Sequence, residues 1–332
     1  KRVPQNIYQK YLSFKNSRDW ISCGRQIKDV DSFTLNNYFD KLLVERSEKK
    51  SVSVTKGLEQ NKNNWEETFY QQLARNFGLK INTVPFELLA KSLPVSVLGK
   101  HKNNLMQIEA LLFGQAGLLD FNHNFPHKIG TNPANEQWND DYPKQLLKEY
   151  KFLKQKFNLK NIDASLWKFM RTHPPNFPTI RISQFANLIY KSSHLFSKII
   201  ETKDIKQIAK LFDTEASEYW QTHFRFNKQS TRKYRKFFGK HSINNILINT
   251  IIPFVFVYGK QKKNQELVDR ALYFLENIEA EKNSVISKWK ELGIDAKNAY
   301  QTQSLLQLKN EYCSNKRCLE CAIGIKLLSE KR

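Results

Sequence analysis

The sequence predicts an all-α fold, a multi-helical globular array, and three observations predict it. Apolar residues recur at helical spacing between recognisable starts and stops along most of the 332 residues. Turn formers are sparse, with 11 Gly and 10 Pro, too few for a turn-rich β protein. Strand-like alternation is confined to one short piece, Ser51 to Thr55. Apolar residues make up 40% and aromatics 13%, enough for a real core. The length suits one large domain or two ordinary ones.

The chain begins with a short helix, Gln5 to Phe14, and a loop, Trp20-Ile21-Ser22-Cys23-Gly24, whose glycine suits a tight turn presenting a thiol. Thr34 to Lys49 is amphipathic through Leu35, Tyr38, Phe39, Leu42 and Leu43, with Asp31 and Ser32 as caps. Asn63-Asn64 precedes a helix with Glu66 and Glu67 in its first turn, which stops at Gly78. Pro85 starts another, ended by Pro94, and Leu105 to Phe113 is closed by Gly114-Gln115-Ala116-Gly117. Short turns between these helices favour antiparallel neighbours.

Phe121 to Tyr142 is polar and rich in Asn, Pro and His. It reads as the internal linker, residues 121–142, between an N-terminal helical subdomain 1–120 carrying Cys23 and a basic C-terminal one, 143–332. Pro143 opens a basic helix, Lys144 to Phe157, and a Pro-rich connector from Trp167 to Pro178 leads into a helix at Ile180. Ile243 to Tyr258 is a buried helix kinked at Pro253, shorter than the ~20 residues of a membrane span. Gln265 to Ile278, Asn283 to Leu292 and Ala296 to Tyr312 close the helical set, and the last delivers Cys313 from its end.

Charge bounds the partners. Lys and Arg number 54 against 32 Asp and Glu, a formal net charge of +22. Such a surface disfavours cationic partners and favours polyanions, nucleic acid first and an anionic membrane surface second. A Lys-rich base composition would produce the same excess. No secretory signal follows Lys1-Arg2-Val3-Pro4, and the absent initiator Met implies that the chain starts inside a longer gene product.

Three of the four cysteines, Cys313, Cys318 and Cys321, fall in a C-x4-C-x2-C run, and Cys23 lies near the other end. That is the spacing of a four-thiolate centre with one remote ligand, which would join the N- and C-terminal segments. The alternative is a set of buried free thiols. Lys316 and Arg317, between the ligands, are expected to lower the thiol pKa values. Only one C-x2-C knuckle is present where structural zinc favours two, so the layout leans to a 4Fe-4S cluster, with zinc as the alternative. Cysteines assignable to one cluster argue for a reducing, cytoplasmic compartment. The stretch from Cys313 to Ile323 resembles the C-terminal cluster loop of helical base-excision glycosylases. Those enzymes keep all four cysteines together; a remote first cysteine with a C-terminal triad resembles certain iron–sulfur nucleases instead.

A wider resemblance rests on Asn64-Trp65-Glu66-Glu67-Thr68-Phe69-Tyr70, on Pro85 to Leu93, on Gln107 to Leu118, on Asn176 to Arg181 and on Cys318 to Gly324. Over these residues the chain resembles an uncharacterised bacterial family, domain of unknown function 2851. The resemblance implies a nuclease-like region upstream of Lys1, and hence an upstream catalytic domain or separate chain as partner.

Two segments are candidates for binding DNA or RNA. Arg232-Lys233-Tyr234-Arg235-Lys236-Phe237-Phe238, followed by Lys240, interleaves cations with aromatics as phosphate contact and base stacking require. As a helix, it would turn Tyr234, Phe237 and Phe238 into the core. Arg171, His173 and Arg181 flank the connector where a loop meets a helix N-terminus, an anion site by charge and dipole. Ion pairs with acids such as Glu149 would account for those arginines equally well.

His101, His123, His127, His173, His194, His223 and His241 show no metal-ligand spacing. Glu109, inside an apolar helix, is expected to form a buried pair with an arginine such as Arg75. No P-loop, dinucleotide fingerprint or nucleophile elbow occurs, so no catalytic constellation is visible and enzyme status stays open. The sequence reads as the nucleic-acid-binding portion of a nuclease-like processing protein. The alternatives are a metal-stapled interaction scaffold with an acidic protein partner, and a glycosylase-like enzyme.

Overall fold

The computed structural model describes residues 5–120 and 138–329. Most of the expected linker, with His123 and His127, lies outside the described residues. Helix accounts for 66% of the structure and strand for 3%, so the class is all-α.

Two compact units are present, residues 1–53 with 252–332 and residues 54–251. This division differs from the expected subdomains 1–120 and 143–332. Core contacts pair the beginning of the chain with its end, a pairing that linear composition does not display. Both crossings, at 53/54 and 251/252, fall inside helices.

The first unit contains α1 (Gln5–Asn16), the first part of α2 (Ser32–Gln60) and the chain from residue 252 onward. Asp31 caps α2, accepting from the Thr34 amide at 2.8 Å. The tempting strand Ser51 to Thr55 is helical, inside α2. Phe14, Ile21, Ile27, Tyr38 and Leu42 share one core with Trp289, Leu305, Leu308, Tyr312 and Ile323.

The second unit is built on α3 (Trp65–Phe77), α4 (Thr83–Ser92), α5 (Val95–Lys100), α6 (Leu105–Gln115), α7 (Asp141–Lys156), α8 (Pro178–Lys191), α9 (Leu195–Glu201) and α10 (Ile205–Leu211). Asn64 caps α3 through the Glu67 amide at 3.0 Å, as its position predicts. Gly78 ends that helix, but it is Leu79 that takes the left-handed conformation, with φ 52°. Glycine is needed at 78 because a Cβ there would strike the backbone of Asn82 and Thr83. The Phe77 ring lies 4.9 Å from Phe185 and 4.5 Å from Phe238, tying α3 to α8 and to the basic segment.

A small hairpin unforeseen in the sequence follows, β1 (His223–Arg225) antiparallel to β2 (Lys228–Gln229), with Asn227 left-handed in its turn. Then α11 (Lys240–Ile246) runs through a π-helical turn, Leu247–Ile251, into α12 (Ile252–Gln261). Proline at 253 has no N–H to donate back to Asn249, and the wider turn accommodates that gap. Asn76 Nδ2 reaches the Asn249 carbonyl at 3.4 Å and Thr250 Oγ1 at 2.8 Å. The helix from Lys240 to Gln261 has 22 residues and is long and apolar enough to cross a membrane, contrary to the expected shortfall. Its burial marks it as a core helix, with 72% of the apolar window inside the protein.

In the first unit, α12 packs on α13 (Gln265–Glu276), and α14 (Ser284–Glu291) packs on α15 (Ala299–Gln307). A π-helical turn, Leu308–Cys313, extends α15, and α16 (Ala322–Ser329) packs on α1.

Candidate functional site

Within the first unit, the core that pairs the chain's ends also gathers its sulfurs. Cys23 sits in the turn that the Gly24 amide closes by donating to the Ile21 carbonyl at 3.1 Å. Cys313 ends the π-helical turn after α15, and Cys318 and Cys321 lie on the tight loop before α16. All four line one cavity of about 20 Å³ together with Phe14, Ser22, Tyr312, Arg317 and Gly324. All four are free cysteines. Among the described residues, no group of three or more His, Cys, Asp or Glu side chains is posed to hold a metal ion. The structure therefore shows convergence of the thiols and leaves a metal centre unshown.

The expected lowering of the thiol pKa values does not occur. Burial pushes Cys23 up to about 12, and the neighbouring sulfurs of Cys321 and Cys318 add to the rise. Burial raises Cys313, Cys318 and Cys321 as well. Lys316 lowers Cys318 slightly, but its ammonium is spent on the carbonyls of Lys15 and Ser17, at 2.7 and 3.1 Å. Arg317 pairs with Glu320 and covers the Tyr312 ring. The Ile323 and Gly324 amides at the start of α16 donate to the Cys321 sulfur, favouring its thiolate against the larger cost of burial. The donor set is chemically soft: four sulfurs line one apolar pocket, the ligand type that zinc and iron–sulfur clusters take.

The second unit carries the basic candidates, and their surroundings sort them. The stretch from Ser230 to Gly239 is irregular chain, not helix. Arg232 and Lys233 are exposed, as are Tyr234 at 43% and Phe237 at 54%, while Phe238 turns inward. Arg235 is exposed, covers the Phe237 ring and forms a two-pronged pair with Glu215. Lys236 is buried, donates to the Trp220 and Gln221 carbonyls and lies over the Phe224 and Tyr234 rings. Burial pulls its pKa down to about 8. Lys240 is exposed at the first turn of α11.

Arg171 and His173 are exposed on the connector, and Arg171 is left-handed, with φ 60°. Arg181 is buried and donates to Asn176 at 2.5 Å and Ser242 at 2.9 Å over the Phe238 ring. Arg181 and Lys236 thus hold the segment in place and present no charge to a ligand. Glu149 accepts from Gln107, at 2.7 Å.

Between the two segments lies a row of rings that motif reading missed. Arg225 of the hairpin covers Phe169 at 4.6 Å and Phe177 at 5.3 Å. The Phe177 ring is 6.3 Å from Phe224, which is 6.2 Å from Tyr234. The second unit therefore carries half-buried Phe169, Phe177 and Phe224 from the connector to exposed Tyr234 of the loop, with exposed Arg225 over the first two; Arg171, Arg232 and Lys233, neighbours of these rings in sequence, are exposed as well. The sequence signal was present: Tyr219 to Gln265 contains no acid.

Glu109 is buried without an arginine. Ser183 and Tyr142 donate to its two oxygens at 2.7 and 2.8 Å, and burial raises its pKa. Arg75, the expected partner, pairs with Glu87.

The fold and these sites define a helical protein whose terminal segments share one sulfur-lined core and whose central unit bears a basic, ring-studded face. The chain belongs to the family described as protein of unknown function (DUF2851), whose profile matches residues 1–284. Cys23 lies within the matched residues, and Cys313, Cys318 and Cys321 lie beyond them. No curated protein and no solved structure matches the chain.

Proposed function

We propose that this protein binds single-stranded DNA or RNA on the ring-studded face of its second unit and that a four-thiolate metal centre fastens its terminal segments. The observation that carries the binding reading is the irregular loop with Tyr234 and Phe237 exposed beside Arg232 and Lys233. Rings left in water at a cost in apolar exposure are what base stacking uses, and adjacent cations meet the phosphates. Strand cleavage, in this reading, belongs to a module upstream of Lys1 or to a separate chain, and this portion supplies the grip.

Cys23, Cys313, Cys318 and Cys321 would hold the metal, with the Ile323 and Gly324 amides and Ser22 around the sulfurs. The remote-cysteine layout supports a 4Fe-4S cluster. Zinc is the second reading, favoured by the cavity of about 20 Å³, which has room for one water-sized sphere and is nearer to a single ion than to a cubane.

Fluorescence anisotropy with labelled single-stranded DNA and RNA oligonucleotides tests the binding reading. Affinity should fall steeply as salt rises. An absence of binding to either at low salt would contradict it, as would capture of one stoichiometric acidic protein free of nucleic acid.

A further inference from the structure

Tyr38 of α2 stands beside the sulfurs with a hydroxyl that the core does not use. The residue is 4% exposed and shares the first unit's core with Cys321, Tyr312 and Ile323. Its hydroxyl is shut off from water and has no partner with hydrogen-bond geometry. Two acceptors lie close by, the Cys321 sulfur and the Tyr312 hydroxyl, and it is aligned with neither. Tyr312 is edge-on to the Tyr38 ring at 5.9 Å and gives its own proton to the Glu45 carboxylate, at 2.9 and 3.0 Å. A buried donor left unmade costs stability, and phenylalanine would fill the same space without that cost. A neutral thiol is a weak acceptor, whereas a thiolate bound to a metal is a strong one. Cys321 is also the sulfur to which the Ile323 and Gly324 amides of α16 donate. One hydroxyl from α2 and two amides from α16 thus surround a single sulfur, as Ser22 attends Cys318.

We propose that Tyr38 is a positioning residue of the four-thiolate centre, its hydroxyl donating to the metal-bound Cys321 sulfur. That bond fixes the direction of the ligand and draws charge from it, as hydrogen bonds behind metal ligands do. The inference rests on the metal reading above and adds to it the group that steadies its most buried sulfur. It is independent of nucleic-acid binding.

Zn²⁺ and Co²⁺ both take tetrahedral thiolate sites, so each alone serves as the probe, added to the reduced, metal-free full chain. Tyr38→Phe should bind Zn²⁺ about tenfold more weakly in competition with a chromophoric chelator, the scale of losing one hydrogen bond behind a ligand. Its sulfur-to-Co²⁺ charge-transfer band should move to longer wavelength, because a thiolate that has lost a proton donor gives up its electrons more readily. The metal-free variant should unfold at a urea concentration no lower than the parent's, since there the hydroxyl has no partner to lose. A merely structural tyrosine would give the reverse, a lower midpoint with affinity and band unchanged. Equal Zn²⁺ affinity, an unmoved band or a lower metal-free midpoint in Tyr38→Phe overturns this inference and leaves the four-thiolate reading standing. A parent that takes up neither ion overturns that reading, and the inference with it.

Discussion

Glu109 sits buried on α6 with two hydroxyls donating to it, and burial, the larger effect, raises its pKa. The folded state therefore keeps the proton longer than the unfolded chain does. Stability is flat below the ordinary glutamate range and falls as pH rises from about 4 through the raised folded value. Glu109→Gln should remove that slope. Urea midpoints measured across this window should converge at low pH and favour the variant at neutral pH; identical slopes would show that Glu109 titrates normally. Among the cations, charge alone marked Lys236 and Arg181 as equal to Arg232. Burial separates them, and burial depends on which strand of chain the fold lays across each side chain. Removing the exposed Arg232 by Arg232→Ala should cut the slope of log affinity against log salt by about 0.7 for a single strand. Tyr234→Ala with Phe237→Ala should leave that slope alone and cost about 1–3 kcal/mol per lost stack. Equal affinity in the double variant would remove the stacking role. The cysteines were legible because four chemically distinctive residues at telling spacing need no fold to be noticed. Their raised pKa values were not, since burial is what raises them, and Lys316 and Arg317, drawn off by Lys15, Ser17 and Glu320, do not offset it.

At the scale of elements, local chemistry read well wherever it is decided within a few residues. Asp31 and Asn64 cap α2 and α3 where side-chain type and position said they would. The π-helical turn was less readable. Proline at 253 announces a disturbance, but the form it takes is settled by Asn76, far away in the sequence, which donates to Asn249 and Thr250. Asn76→Ala should leave that carbonyl unmet and destabilise the second unit by about 1–3 kcal/mol, read as a lower denaturant midpoint at unchanged slope. A midpoint equal to the parent's would mean that the turn stands without Asn76. The basic segment gave the opposite lesson. Its helical reading would hide Tyr234 and Phe237, yet Phe238 donates its amide to the Thr214 carbonyl and Ala216 donates to the Lys236 carbonyl. Those long-range bonds hold the stretch irregular, and no local pattern reports them. Gly324, at the start of α16, is pressed against the Cys318 backbone, so a Cβ there would collide with it. Gly324→Ala should push the Cys318 loop outward and lower metal content without unfolding the second unit.

On the scale of the whole molecule, composition announced a helical protein, and that class stands at 66% helix. The division into units was not announced, because a cut that pairs residues 1–53 with 252–332 leaves no seam of composition at its own boundaries. Cys23 inside the matched family residues and the triad beyond them meet around one small cavity. A metal there would constrain the unfolded chain across nearly its full length, which makes the centre a strong lever on stability. The most direct test of the account is the metal content and visible absorption of anaerobically purified protein, compared with Cys23→Ser and Cys318→Ser. One iron–sulfur cluster or one zinc per chain, lost alike in both variants, is the predicted result. A metal-free parent, or metal retained when Cys23 is replaced, would contradict it.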